Sequence, residues 1–188
     1  GPEAAVLVRE GSRRRIVFWN LAEPKAHAVW EVEPGFAARH IVWHPARMRL
    51  FLAGAKGKGW VIVSVDEKEG KPRFQEIHRS SQEIRRLLAG PRPFRTGVES
   101  KGHWVSLTNY RLFFGLKHKD GTSSIATVTE EGKRAYQVAG PPQGAIEWSP
   151  AYEEDQPSTI KTASALPSAF HPAGHLMLWE DAKGCFHS

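Results

Sequence analysis

A pair of tripeptides is written twice in this chain, and this repeat constrains the fold more than any other feature. His-Pro-Ala at residues 44–46 is followed, after eight residues, by Ala-Lys-Gly at residues 55–57. The same pair with the same gap recurs at residues 171–173 and 182–184. The copies lie 127 residues apart, which is about three times the roughly 42 residues of a four-stranded β unit. This offset predicts an array of similar β units.

Weaker copies of the same plan occur elsewhere in the chain. Residues 54–77 and 117–139 both read as a Gly turn, an alternating strand, an acidic-Gly-Lys turn and a second strand, and residues 13–32 follow this plan with Glu-Pro at the turn. Residues 60–65 are β-branched or aromatic at nearly every position, which favours a strand. Because proline has no N–H for a β ladder, each His-Pro-Ala predicts a tight turn between the innermost and second strands of a unit.

The repeated pattern also carries a family resemblance. Residues 42–66 hold an aromatic residue, a His-Pro turn, an apolar strand and a Gly-containing hairpin, and residues 169–184 hold the first half of this pattern. In this respect the chain resembles β-propellers of the WD40 or TolB-like kind, although it has no Trp-Asp dipeptide. The resemblance implies an all-β, propeller-like array of about four antiparallel blades. A β-sandwich or an open barrel built of similar hairpins is the alternative.

The copies are unevenly spaced, and a helix signature between them offers an explanation. Ser80 and Glu83 are spaced as a capping box, in which both side chains bind backbone N–H groups at the start of a helix. The apolar residues that follow fall on one helix face: Ile84, Leu87 and Leu88. A Gly-Pro pair then ends the pattern. Residues 81–89 are therefore predicted to form one short helix inserted between two blades.

The length and the cysteine content set the expected organisation. The 188 residues suffice for one domain. Gly1 and Pro2 read as the scar of a cleaved purification tag, and residues 3–188 as a single β-propeller-like domain excised from a larger protein. The one cysteine, Cys185, excludes an internal disulfide framework and favours a reduced, cytoplasmic setting. No apolar run reaches the roughly 18–20 residues of a membrane span, so no membrane partner is expected.

Motifs that carry catalytic or metal chemistry are missing from the sequence. There is no Gly-x-Ser-x-Gly elbow, phosphate-binding Gly-rich loop, His-Glu-x-x-His or paired-cysteine zinc motif. His40 and His44 are four residues apart, but on a strand this spacing separates them by about 13 Å. Cys185 and His187 alone are a weak zinc signal. We therefore predict no catalytic residue, no metal site and no cofactor.

Arginine clusters are the candidate binding residues. The formal net charge is +6, and arginine binds anions and carboxylates through a planar fork of donors. Aromatic residues that could stack on bases or pack in the core lie near both clusters. The clusters comprise Arg13, Arg14 and Arg15, and then Arg79, Arg85, Arg86, Arg92 and Arg95.

Three functions are compatible with these features. The leading prediction is a non-enzymatic protein-interaction module, part of a larger multidomain protein, since loops at the ends of a rigid scaffold commonly bind partners. The first alternative is a nucleic-acid-associated module that uses the arginine clusters. The second is an enzyme, or an accessory domain of one, with a site in the central channel.

Overall fold

Strands joined by turns and loops make up the regular structure of this protein, as seen in a computed structural model. The structure describes residues 3–23, 25–90, 94–100, 103–132, 136–138, 146–147, 165–170, 176–181 and 185–187. Within these ranges every regular element is a β-strand, so the all-β prediction is confirmed. No helix that could cross a membrane occurs in this part of the chain. The chain divides into two compact units, residues 1–83 and 84–188.

The first unit holds two antiparallel sheets whose strands follow one another in chain order. The first sheet has the order β1-β2-β3 and the second the order β4-β5-β6-β7. The strands are β1 (Glu3–Glu10), β2 (Arg13–Asn20), β3 (Lys25–Glu31), β4 (Phe36–Trp43), β5 (Arg49–Lys56), β6 (Gly59–Lys68) and β7 (Lys71–Ser80). Glycines with positive φ, a conformation that other residues rarely adopt, lie in the hairpin turns at Gly57 and Gly70.

The core of this unit forms from side chains of both sheets. Ile16 and Phe18 of β2 cluster with buried residues of β4, β5 and β6, among them Leu50 and Leu52. The ring of Phe18 meets Trp30 edge-on, with centroids 4.4 Å apart. The central strands β5 and β6 are buried at successive positions, and hence on both faces. The β-branched run that predicted a strand at residues 60–65 lies within β6.

The second unit contains one four-stranded sheet like that of β4–β7, with a hairpin inserted in it, and one further sheet. Its strands are β8 (Glu83–Ala89), β9 (Phe94–Ser100), β10 (His103–Asn109), β11 (Arg111–Lys117), β12 (Ser123–Thr129), β13 (Tyr136–Val138), β14 (Ile146–Glu147), β15 (Ala165–Phe170), β16 (Leu176–Asp181) and β17 (Phe186–His187). One sheet has the order β13-β12-β11-β8, and β9 and β10 form a separate hairpin. A further sheet has the order β14-β16-β15, with β17 also paired to β16. Each of these sheets is open.

The described strands on either side of the two His-Pro-Ala tripeptides match each other. The connection between β4 and β5 runs over residues 44–48 and contains the first His-Pro-Ala, so the turn predicted there is confirmed. The strands β15 and β16 flank residues 171–175 at the same spacing. The second turn itself lies outside the described residues. The sheets nonetheless share a strand, a connection and a second strand at matching positions.

The helix predicted for residues 81–89 is wrong. Residues 83–89 form the strand β8, which pairs with β11. Arg86 has a φ of +53°, and such a residue interrupts the regular alternation of a strand. Ile84 and Leu87 are therefore both buried although they lie three residues apart. A strand interrupted at Arg86 thus produced the same apolar spacing as a helix. The hydroxyl of Ser80 accepts the N–H of Gln82 at 2.9 Å, in a bend instead of a cap.

The uneven spacing of the repeats has a different cause from the one predicted. The N–H of His44 donates to the carbonyl of Arg49, and the N–H of Gly90 donates to the carbonyl of Arg111, each at 2.8 Å. Gly90 and Arg111 therefore close the same connection that His44 and Arg49 close in the first unit. The hairpin of β9 and β10 is inserted inside that connection.

Candidate functional site: a cleft at the His-Pro-Ala turn

The His-Pro-Ala turn is held by the imidazole of its own histidine. His44 is buried, with 3% of its surface exposed, and its ring centroid lies 6.1 Å from that of Phe51. Its Nδ1 accepts the backbone N–H of Ala46 at 3.0 Å. The intervening Pro45 disfavours a helical conformation at His44 and has no N–H to satisfy. The motif therefore has a structural role, which explains why a repeat unit would keep it.

The turn forms one wall of a surface cleft with a volume of about 410 Å³. The cleft is lined by Glu3, Trp43 and the turn residues 44–48. Glu3 begins β1 and Trp43 ends β4, so the cleft lies where strands of the two sheets in the first unit meet. The volume falls within the range of small-molecule sites, but the space is widely open to solvent, so it is a shallow surface cleft and not an enclosed pocket.

The apolar part of the cleft combines one rigid and one flexible side chain. Trp43 packs against the core, with its ring edge-on to Phe18 at 6.0 Å, so its position is fixed. Met48 is 70% exposed, and its unbranched thioether can adapt to different shapes. Together they provide an apolar contact surface that is partly preformed.

Opposite charges border this apolar surface. The carboxylate of Glu3 lies 3.6 Å from Nε2 of His27, which also keeps it on the side of the first sheet. Arg47, from the turn, also lines the cleft. The cleft therefore presents an apolar surface with one acidic and one basic residue beside it. Sequence reasoning did not single out these residues, because only the strand arrangement brings Glu3 next to Trp43 and Met48.

The arginine triplet on β2 does not form one surface. Strand alternation sends successive side chains to opposite faces. Nε of Arg14 reaches the neighbouring sheet and donates to the carbonyl of Ala38 at 2.9 Å. Arg15 binds two carboxylates, Glu10 at 2.8 Å and Glu31 at 2.6 Å. The exposed Arg13 lies in the same strand. Alternation along β2 was the signal in the sequence that could have separated them.

Two arginines of the second cluster are also bound to carboxylates. Arg79 on β7 makes a bidentate contact with Glu76, at 2.8 and 2.6 Å; this hydrogen bonding raises the pKa of the guanidinium. Arg86 on β8 pairs with Glu180 of β16. Arg85 lies beside it on β8, partly buried.

Less is described of the other two candidate arginines, Arg92 and Arg95. Arg95 lies on β9, but its side chain and the whole of Arg92 lie outside the described residues. Arginines that already bind carboxylates lose much of their capacity to bind phosphates, since the same donors serve both. The specific argument for a nucleic-acid site is weaker for Arg15, Arg79 and Arg86. The net charge of +6 remains its general support.

The described part of the chain contains no cluster of side chains suited to bind a metal ion. No group of three or more His, Cys, Asp or Glu side chains is close enough there to hold an ion. Cys185 is exposed, and residues 171–175 lie outside the described ranges.

Comparisons with family models, with curated proteins and with solved structures find no match to this chain. The resemblance to WD40 or TolB-like repeats therefore stays a prediction, and function has to be argued from the cleft and the surfaces of the sheets.

Proposed function

We propose that this chain is a non-enzymatic protein-interaction module that binds an extended peptide segment of a partner in the cleft at the His-Pro-Ala turn. The observation that carries the proposal is the lining of that cleft. It places a fixed indole and an exposed thioether beside the charged residues Glu3 and Arg47.

The residue types fit peptide recognition better than catalysis. Tryptophan is enriched among the residues that dominate binding energy, and methionine is common at surfaces that accommodate several partners. The one histidine in the cleft wall, His44, is buried and uses Nδ1 to hold the turn. The cleft thus favours a ligand with an apolar side chain next to charged or backbone groups.

The proposal includes the finer architectural prediction. The recurring plan of strand, connection, strand and hairpin supports a propeller-like array, in which the β4–β7 sheet and the sheet of β8 and β11–β13 are blades. A scaffold of this kind presents connections such as residues 44–48 at its ends, where partners bind. We further propose that the chain works as part of a larger multidomain protein in the cytoplasm, where an exposed thiol such as Cys185 stays reduced.

Selection from a displayed peptide library, using the intact chain as bait, tests this proposal. Met48→Lys is the test variant, because it places a charge in the apolar part of the cleft at a side chain too exposed to affect folding. Leu21→Lys is the matched control, since Leu21 is 61% exposed in the same unit and does not line the cleft.

Selected peptides should bind the unmodified chain and Leu21→Lys equally, and Met48→Lys at least about tenfold more weakly. Failure to enrich any peptide, or equal binding to Met48→Lys, would contradict the peptide site. Repeating the binding measurement at several salt concentrations with a single-stranded oligonucleotide separates the alternative. Steep salt dependence that is unaffected by Met48→Lys would favour nucleic acid instead.

A further inference from the structure

The outer face of the β1-β2-β3 sheet carries an apolar row that its own unit leaves exposed. Val6, Val17 and Val29 stand directly opposite one another on the three strands. Val6 is 46% and Val29 is 52% exposed, and Val17 between them is partly buried. The other face of the sheet, with Ile16 and Phe18, packs in the core.

A second apolar row lies next to the valines. Trp19 stands opposite Ala4 on β1 and Ala26 on β3, and it is 38% exposed. Because both neighbours are small, the indole is the largest side chain of this row. Two adjacent rows of apolar residues make a continuous surface rather than scattered exposure, and such surfaces on soluble proteins commonly mark interaction sites.

The charged end of the same face is balanced. Arg15 binds the carboxylates of Glu10 and Glu31, and Arg13 stands opposite Glu10 in the register. The face therefore holds two guanidiniums and two carboxylates. A nucleic acid or a strongly acidic protein would need a face with excess positive charge. A balanced face fits a partner whose own face is balanced.

In the neighbouring sheet, the apolar residues are buried on both faces. Strands β5 and β6 are buried on both faces, with Phe51 and Ile62 fully buried on the side that does not carry Leu50 and Val61. The outer face of the first sheet also carries apolar residues on which a second sheet could pack, but among the described residues only the inner face is covered. Sheets packed face to face lie about 10 Å apart and interdigitate side chains such as valine.

We propose that a second copy of this chain covers this face, which gives a two-fold symmetric dimer packed sheet on sheet through Val6, Val17, Trp19 and Val29. The same patch on both copies must then be complementary to itself. The valine row and the balanced charges meet that condition. This proposal concerns a different surface from the peptide cleft and does not depend on it.

Sedimentation velocity of the full chain over a range of concentrations tests the proposal. The chain should pass from monomer to dimer as concentration rises. Val29→Lys and Val6→Lys, on different strands, should each raise the dimer dissociation constant at least about tenfold, since symmetry places two buried charges in the interface. Gln75→Lys is the matched control, as it puts the same charge at an exposed position of β7, in the other sheet of this unit.

Circular dichroism should show that all three variants keep the fold of the unmodified chain. A monomer at every concentration would overturn the proposal. A dimer that both valine variants leave intact, or that Gln75→Lys disrupts equally, would overturn it as well.

Discussion

Substitution of Gly54 by alanine should destabilise the first unit more than its single added methyl suggests. Gly54 lies in the middle of β5, opposite Ala38 of β4 and Val61 of β6. The register of β4 shifts next to this point, between Ala38 and His40. A Cβ at Gly54 would lie 2.2 Å from the carbonyl oxygen of Ala37 and 2.6 Å from Cα of Ala38.

The size of the effect follows from these distances. Ordinary contact begins at 3.4 Å, so the added atom is about 1.2 Å too close to the Ala37 oxygen at 2.2 Å. The obstructing atoms belong to the backbone, and a rotamer change cannot move them away. Overpacking costs typically about 1–3 kcal/mol, and we expect the upper end. For a chain of this length, about 3 kcal/mol lowers the melting temperature by roughly 6–12 °C.

Thermal unfolding followed by circular dichroism measures this shift. Gly57→Asn, in the turn that follows the same strand, is the matched control. A Cβ there meets open space, and asparagine tolerates the positive φ of +63°. The control should lose about 1 kcal/mol or less. Equal melting temperatures for Gly54→Ala and Gly57→Asn would refute the argument that the backbone of β4 at Ala37 and Ala38 leaves no room for a Cβ at Gly54.

Three further predictions concern single side chains. Arg14→Leu removes the 2.9 Å hydrogen bond to the Ala38 carbonyl and should lower the free energy of unfolding in urea by about 1–2 kcal/mol. Arg13→Leu should change it by no more than about 0.5 kcal/mol. Similar losses for both variants would contradict the different orientations of the two side chains. Burial lowers the pKa of His78 below its ordinary 6.5, and this effect is larger than that of the Glu76 carboxylate, which raises the pKa. The unfolded chain therefore binds the proton more readily, so stability should fall as pH drops below about 6.5 and be unaffected above it. Between about pH 7.5 and about pH 5.5, the His78→Gln variant should lose less folding stability than the unmodified chain. If both lose the same amount, His78 is not the source of the pH dependence. Arg86→Glu should destabilise the second unit by placing like charges together, and adding Glu180→Arg should restore about 1 kcal/mol in a double-mutant cycle; simple additivity would argue against the pair.

Much of the strand pattern was accessible from the sequence because it rests on local preferences. The β-branched residues 60–65, the glycines at Gly57 and Gly70 and the proline in the first His-Pro-Ala each act within a few residues of the chain. One repeat signal was overlooked. Arg-Leu-Phe occurs at residues 49–51 and 111–113, where it begins the strands β5 and β11. This match aligns the two units and shows that the extra residues precede Arg111.

At residues 83–89 the local sequence pattern does not distinguish a helix from a strand. Apolar residues three and four apart fit one face of a helix, but they also fit a strand interrupted at Arg86, whose φ is positive. Pairing with β11 is a contact between residues distant in sequence. A hydrogen-bonded partner strand can override helix propensity, which amounts to only a few tenths of a kcal/mol per residue.

The sequence by itself determined the all-β class, the strands around the first His-Pro-Ala and the turn between them, since each depends on residues close together in the chain. Only the tertiary structure decided which side chains meet. It placed Glu3 beside Trp43 and Met48 in one cleft, paired Arg15 with Glu10 and Glu31, and aligned Val6, Val17 and Val29 on one exposed face. The physical reason is that strand register and sheet packing join residues far apart in sequence. No local propensity specifies those distances.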